Sequence, residues 1–549
     1  MTDTATDTER ARALADRYWD QLLELEPIIG TEVGDERYDD RLSDPSEAGR
    51  AASAAVQTAA LAELAAIDRE DLDVVLRTTL DVLESIARRA LSDVENRTDF
   101  LVVASHLWGP GQLLAELGSM QRADTPERLE RYAGRLRAVP AYLDAICDIV
   151  REGVASGVTS PTVVAERAVA QVERLLTIPA DESPALTPAG DDADAKTLLA
   201  DVIREQVNPA YLRYLETLQA YLPHATETIG LSALPNGDAM YAAQILAWTT
   251  LPLKAREVHD IGLERLEAIQ KERTTLAASL GFDSVEDAVA AHTASGKNTA
   301  KTRQEVLDLA RRQVEAGWEA APAFFGRMPS ENCDVRLVEE FREADMPFAF
   351  YNSPTADGSR KGIYYVNAYD LDNRLLHHLA TTSYHEANPG HHFQLTIEQE
   401  IPDRPALRSF GGILAGSAFI EGWGLYSERL AEEMGLFTDP YETLGMLDAQ
   451  AHRAARLVTD TGIHAFEWTR DRAIETLEEA GVPHTDAVIE IDRYIAMPGQ
   501  ACSYMIGMIE IERARAAAES REGFSLKDFH DRLLGLGSLP LPALRRELG

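Results

Sequence analysis

Apolar residues recur at a helical period along most of this chain, and that pattern limits the fold more than any other feature. Leu14, Tyr18, Leu22 and Leu25 mark the first stripe. Residues 51–67 are rich in Ala and Leu, both strong helix formers. Helical patterns continue through residues 71–93, 126–152, 162–176, 197–222, 253–272 and 301–320. Residues 179–194 interrupt them with Pro179, Pro184, Pro188 and Gly190, the signature of a long surface loop. Both flanks of that loop read as the same kind of helical protein. No fixed-period repeat is present, so a solenoid is not expected. The expected architecture is mostly α, a single large helical domain over 1–549. Residues 1–230 form its N-terminal helical part and residues 231–549 carry a candidate metal site.

One region breaks the helical habit. Residues 347–351 and 362–367 are short, aromatic and β-branched, and Pro354 and Asp357-Gly358 lie between them. They are expected to form two short strands joined by a loop. An exposed edge strand can hold an extended peptide by main-chain hydrogen bonds. Tyr364 and Tyr365, with Arg360 just ahead of them, are therefore the candidate substrate-binding residues.

The chemistry-bearing segment follows at once. Five of the thirteen histidines fall between His377 and His392. The centre of the cluster reads His385-Glu386-Ala387-Asn388-Pro389-Gly390-His391-His392. In an HExxH helix two histidines four apart share one face and meet one zinc ion, and the Glu acts on its water. Here the fourth residue after His385 is Pro389. On an unbroken helix His391 lies about 120° around from His385, and His392 lies about 10.5 Å along the axis. Zinc–nitrogen bonds of about 2.0–2.1 Å rule out both pairings on such a helix. Pro389 removes a backbone donor and Gly390 permits unusual backbone angles, so a kink there can bring a second histidine back. His391 is the preferred partner and His392 the alternative.

A third ligand must come from elsewhere. Glu421 sits in the apolar run Phe419-Ile420-Glu421-Gly422-Trp423, where an unpaired carboxylate is costly to bury. Glu428, seven residues on, shares its helical face and is a candidate supporting group. His464, in an apolar stretch, and Tyr504, after Pro498-Gly499-Gln500-Ala501, are candidate donors to a developing oxyanion.

Bulk properties exclude several classes. The chain has 91 acidic against 53 basic residues, a formal charge of −38, which disfavours nucleic acid and anionic membranes as partners. No window approaches about 18 uninterrupted apolar residues, so no transmembrane helix is expected. Residues 1–7 show neither a basic nor an apolar leader region, and a cytoplasmic location is expected. Cys147, Cys333 and Cys502 are far apart, giving no disulfide framework or thiolate zinc site.

Taken together, these residues resemble the bacterial family known as domain of unknown function 885, which is similar to zinc metallopeptidases of the carboxypeptidase Taq type. The resemblance spans nearly the whole chain. It includes residues 34–42, 257–263 and 357–360, the His385–His392 segment, Glu421-Gly422-Trp423, Asp460–His464 and Pro498-Gly499-Gln500-Ala501. It implies a large helical fold with a deep cleft, a short sheet beside the active-site helix, and Zn2+ or another divalent metal on the cleft floor. The implied ligands are His385, His391 and Glu421, with Glu386 as general base and His464 and Tyr504 as transition-state donors. The implied activity is peptide hydrolysis, in the manner of a carboxypeptidase on short peptides. The departure from HExxH keeps two alternatives open: a non-catalytic helical binding protein, and a metal-dependent hydrolase of other amides or esters.

Overall fold

A computed structural model describes residues 6–340, 343, 346–354 and 360–549. Among them the chain is mostly helical, with one three-stranded sheet. The helices begin as their sequences direct. At the first, Asp7–Leu25, Thr6 and Glu9 form a reciprocal capping box that satisfies its first backbone donors. Its buried face, including Leu14, Tyr18 and Leu22, packs on Glu47–Leu64 and Val74–Asn96. The expected loop at residues 179–194 instead holds two short 3-10 helices, Ala180–Glu182 and Pro184–Ala189. Proline fixes φ there without forbidding a tight helical turn.

One hydrophobic core runs from Ala11 to Leu548 and joins the two ends of the chain. Trp19 stacks on Phe410 with ring centroids 6.3 Å apart. Arg77 makes two hydrogen bonds of 2.9 Å to the Glu547 carboxylate. The segment at residues 34–42 is held from within. The fully buried Arg135 donates to the carbonyls of Arg41 at 2.7 Å and Tyr38 at 2.8 Å. The cysteines are buried and unpaired.

The elements around the candidate site are α1 (Ala255–Ser279), α2 (Arg303–Ala320), β1 (Asp334–Leu337), β2 (Ala349–Asn352), β3 (Ile363–Val366), α3 (Leu379–Glu386), α4 (His391–Gln399), α5 (Ser417–Glu433), α6 (Pro440–Ala465), α7 (His484–Ala496) and α8 (Ser503–Glu519). The sheet order is β1-β3-β2. β3 pairs in parallel with β1 (Val335 opposite Tyr364) and antiparallel with β2 (Tyr351 opposite Tyr364). The two expected strands are present, but a third, β1, joins them. β1 escaped the sequence reading because four residues, Asp-Val-Arg-Leu, carry too little alternation to stand out. Its presence places β3 in the centre, with both backbone edges occupied. The edge that lies against α3 is β2. Asp357-Gly358, expected between the strands, lies outside the described residues.

α1 packs along α6, and α5 along α8. The second pair is unusually close. A Cβ at Gly422 would lie 2.3 Å from the Gly507 carbonyl carbon, so only glycine fits. α3 sits among α2, α5 and α6.

Candidate metal centre

The kink demanded by the His385–His392 spacing is present. α3 ends at Glu386 and α4 starts at His391, with a cis Asn388–Pro389 bond between them. The turn folds back onto the end of α3 so tightly that a Cβ at Gly390 would fall 1.8 Å from the His385 carbonyl oxygen. Four hydrogen bonds fix it. The Asn388 side-chain amide donates to the Val314 carbonyl at 3.0 Å and to Asn332 Oδ1 at 2.8 Å. Trp423 Nε1 donates to the carbonyls of Pro389 at 3.0 Å and Gly390 at 3.1 Å. The tryptophan of the Glu421-Gly422-Trp423 run therefore holds the break that Pro389-Gly390 creates.

The break brings His385 and His391 together, with ring centroids 4.7 Å apart and planes at 86°. Glu421 Oε2 lies 3.7 Å from His385 Nε2 and 3.6 Å from His391 Nε2. Four ligands at about 2.0–2.2 Å in a tetrahedron are separated by about 3.3–3.6 Å, so these contacts match the edges of a zinc polyhedron. The two imidazoles fit because α5 carries glycine beneath them. A Cβ at Gly424 would lie 2.7 Å from His385 Nε2 and 3.0 Å from His391 Cε1.

Supporting groups set the ring chemistry. His385 Nδ1 donates to Glu428 Oε1 at 2.8 Å, which leaves its Nε2 lone pair turned to Glu421 and His391. The other Glu428 oxygen accepts from Thr381 Oγ1 at 3.0 Å. Glu428 therefore takes the supporting place its helical face suggested. Burial disfavours charge on His385, but its contacts with Glu421 and Glu428 outweigh burial and push its pKa up to about 9. Burial likewise opposes charge on Glu421, yet the two imidazoles hold its carboxyl far below the usual range. The residues fit a metal: two imidazole nitrogens and one carboxylate converge, and a cation displaces the protons they otherwise share. Glu386, half-buried, has its carboxyl pushed up by burial, opposed by His391 and His385.

The other expected residues separate into two groups. Tyr504 is near: its hydroxyl feels the Glu421 carboxylate, and burial raises its pKa. His392 turns away from Glu421. Its Nε2 donates to the Glu331 carbonyl at 2.9 Å and its Nδ1 accepts from the Tyr351 hydroxyl at 2.9 Å, so His391 is the member that joins His385. His464, expected as a donor, has both nitrogens on backbone: Nδ1 accepts from Leu231 N–H at 3.3 Å and Nε2 donates to the Tyr494 carbonyl at 3.0 Å. Tyr364 is fully buried, and its hydroxyl bonds Ser383 at 3.1 Å from beneath α3, so it supports the helix rather than facing solvent. Tyr365, on the opposite face of β3, stacks on Phe350 at 4.9 Å. Arg360 is exposed and donates to the Ser353 carbonyl at 2.8 Å.

A cluster of arginines lies beside Tyr504. Arg456 is buried, donating to the Tyr494 hydroxyl at 2.9 Å and Glu490 at 2.8 Å. Its guanidinium carbon is 4.3 Å from the Tyr504 ring centroid. Arg493 shares Glu490 at 2.8 Å. Arg456 Nη1 and Arg453 Nε are buried with no hydrogen-bond partner among the described residues. Arg453 acts electrostatically on Glu386. The signal available in the sequence was Arg453 and Arg456 three apart on one helix face beside the apolar run.

Fold and site together define a mostly helical protein with a candidate His-His-Glu metal centre built around a broken helix. The chain belongs to the bacterial protein family of unknown function DUF885, whose model matches residues 27–548. It is similar over 99% of its length to the putative lipoprotein from Colwellia psychrerythraea, at 25% identity and a TM-score of 0.89, covering 98% of that chain. A putative lipoprotein of unknown function from Shewanella oneidensis shares the fold at 20% identity and a TM-score of 0.77, with 99% of each chain covered. No curated protein matches the chain. No helix among the described residues is long and apolar enough to cross a membrane.

Proposed function

We propose that this protein is a metal-dependent peptidase acting on short peptides from their C-terminal end. The observation that carries the proposal is the convergence of His385, His391 and Glu421 directly beside Glu386, across a helix break. The resemblance to zinc peptidases of the carboxypeptidase Taq type points the same way. His385, His391 and Glu421 hold the metal. When bound there, zinc supplies Lewis-acid polarisation of the scissile carbonyl and the attacking water.

The chain's own residues do the rest. Glu386 takes the proton of the attacking water and returns it to the leaving amine, and its upward-shifted carboxyl suits a group that both accepts and donates. The Tyr504 hydroxyl donates to the carbonyl oxygen as charge develops on it. β2, the outer strand of the sheet, holds the peptide backbone by main-chain hydrogen bonds. The unpartnered nitrogens of Arg453 and Arg456 receive the substrate's terminal carboxylate, for which a planar guanidinium is matched. Partial exposure of the Glu421 side chain, 22%, together with half-buried Glu386 and Tyr504, is what the floor of a cleft requires.

The test is turnover of a peptide library by zinc-loaded wild type and Glu386→Gln. The proposal expects release of C-terminal residues by the wild type alone. Equal turnover by both proteins, or none by the wild type, would overturn it. Cleavage of esters or non-peptide amides alone would identify a different hydrolase on the same metal.

A further inference from the structure

We propose that His377, His378 and Asp448 form a second divalent-metal site, structural in role, at the opposite end of α3 from the first. The proposal does not rest on the peptidase reading. Both His377 Nε2 and His378 Nε2 point at the same oxygen, Asp448 Oδ2, each at 3.3 Å. The two rings lie face to tilted face with centroids 3.9 Å apart. His377 and Asp448 are buried, and His378 keeps 28% of its side chain exposed.

The tautomer of His377 is fixed by its surroundings. Its backbone N–H donates to Asn298 Oδ1 at 3.0 Å, which identifies that atom as an oxygen, and Asn298 Nδ2 donates to Thr293 Oγ1 at 3.0 Å. His377 Nδ1 lies 2.9 Å from the same Asn298 oxygen and so carries the proton. Its Nε2 is then a lone pair aimed at a carboxylate lone pair, in a buried place. Something positive must lie between them: a second proton or a cation.

Distance separates the two answers. Charge-assisted N–H···O bonds are about 2.7–2.9 Å, while the edge of a tetrahedral zinc site is about 3.3 Å. This protein shows both lengths. His385 Nδ1 to Glu428 is 2.8 Å and His484 to Glu478 is 2.6 Å, the lengths of direct imidazole–carboxylate hydrogen bonds. The contacts within the first candidate centre are 3.6 and 3.7 Å. His377 and His378 fall with the long class. One further long contact, His452 to Glu490 at 3.5 Å, has the Tyr494 hydroxyl between the partners, bonding both. Among the described residues, nothing comparable stands between the two imidazoles and Asp448. A single proton, moreover, serves one of the two contacts, whereas a cation serves both.

The rest of the Asp448 carboxylate is anchored. Its Oδ1 accepts from Arg273 Nε at 2.7 Å, leaving Oδ2 alone to face the imidazoles. α6 meets the histidine turn closely: a Cβ at Gly445 would be 2.0 Å from the His377 carbonyl oxygen. A metal here ties the start of α3 to α6 and, through Arg273, to α1. Seven residues of helix, about 10.5 Å, separate His378 from His385. Paired catalytic ions need about 3.5–4 Å, so the two sites do not act as one bimetallic centre. Two imidazoles with one carboxylate suit Zn2+ or Co2+.

The experiment uses the full-length His385→Ala/His391→Ala variant, stripped with a chelator, re-equilibrated with zinc chloride and freed of excess. Elemental analysis is expected to find one zinc per chain, and none after the further change His378→Gln. Co2+ in the same variant is expected to show a ligand-field absorption that His378→Gln abolishes. No bound zinc in the double variant, or one that survives His378→Gln, would overturn the proposal. If the double variant does not fold, His378→Gln in the wild-type background is expected to lower the zinc content by one per chain; unchanged content overturns the proposal equally.

Discussion

The two ends of α3 carry the same kinds of donor in two different settings. At its C-terminal end, His385, His391 and Glu421 stand beside a further carboxylate, Glu386, and are backed by a second, Glu428. At its N-terminal end, His377, His378 and Asp448 have an arginine behind the carboxylate instead. The arginines differ in the same sense. Arg273 is fully engaged, with Nε on Asp448 and Nη1 on Gln270 at 2.7 Å. Arg456 and Arg453 each keep a buried nitrogen without a partner among the described residues. The lesson is that donor type alone does not assign a role. A centre with a base and arginine nitrogens lacking a partner among the described residues beside it is arranged to receive a reactant. A centre whose neighbours are already paired is arranged to hold elements together.

The largest effect that distinguishes the two ends is on chemistry. Glu386→Gln is expected to lower kcat/KM for peptide hydrolysis by about 10²–10⁴-fold, the usual contribution of a general base. Zinc content at both ends should stay unchanged. Loss of zinc together with activity would show Glu386 to be a ligand rather than a base. Next in size is Glu428→Gln. It weakens the orientation of His385 and is expected to cost about 10–100-fold in zinc affinity, read by chelator competition, at the C-terminal end only. An equal loss at both ends would erase the contrast between them.

Much of the fold and of the C-terminal centre was legible in the sequence, for reasons that can be stated residue by residue. The helical fold followed from a periodicity that tertiary packing reinforced. The kink followed from Pro389-Gly390, because local backbone chemistry is written in consecutive residues. Glu421 stood out as a carboxylate in an apolar run. What stayed hidden depends on contacts between distant segments. Nothing near His377 announces Asp448, 71 residues away on another helix. The room that Gly424 leaves for two imidazoles is a property of α5 against the turn, invisible in a list of glycines. The aromatic β3 read as an edge because β1, the strand that covers it, is four residues long. His464 carried the right chemistry in an apolar stretch, but backbone groups of Leu231 and Tyr494 claim both its nitrogens.

Smaller effects probe the packing and the arginine cluster. Gly424→Ala adds a methyl 2.7 Å from His385 Nε2 and must push the imidazoles apart. It is expected to weaken zinc at the C-terminal end by about tenfold, in the manner of other changes around a metal's ligands. Global stability should not fall in step, because alanine gains up to about 1 kcal/mol over glycine in a helix. Arg456→Lys keeps the charge but loses the planar fork. It is expected to raise KM about tenfold for peptides with a free C-terminal carboxylate, and to leave amidated peptides unaffected. A shift of both substrates together would mean that Arg456 only braces Tyr494 and Glu490.

The smallest expected effect is thermal, and it addresses the N-terminal end alone. A ligand that binds only the folded state stabilises it by about 2.7 kcal/mol at a free concentration one hundred times its Kd. For a chain of this size that corresponds to a rise in Tm of about 2 °C. Zinc added to stripped His385→Ala/His391→Ala should still give such a rise, because the remaining site bridges α3 and α6. The same addition to His378→Gln should give only the share due to the C-terminal end. Stabilisation confined to the C-terminal end would leave α3 with one functional end, and its histidine pair at the other would be a buried proton pair instead.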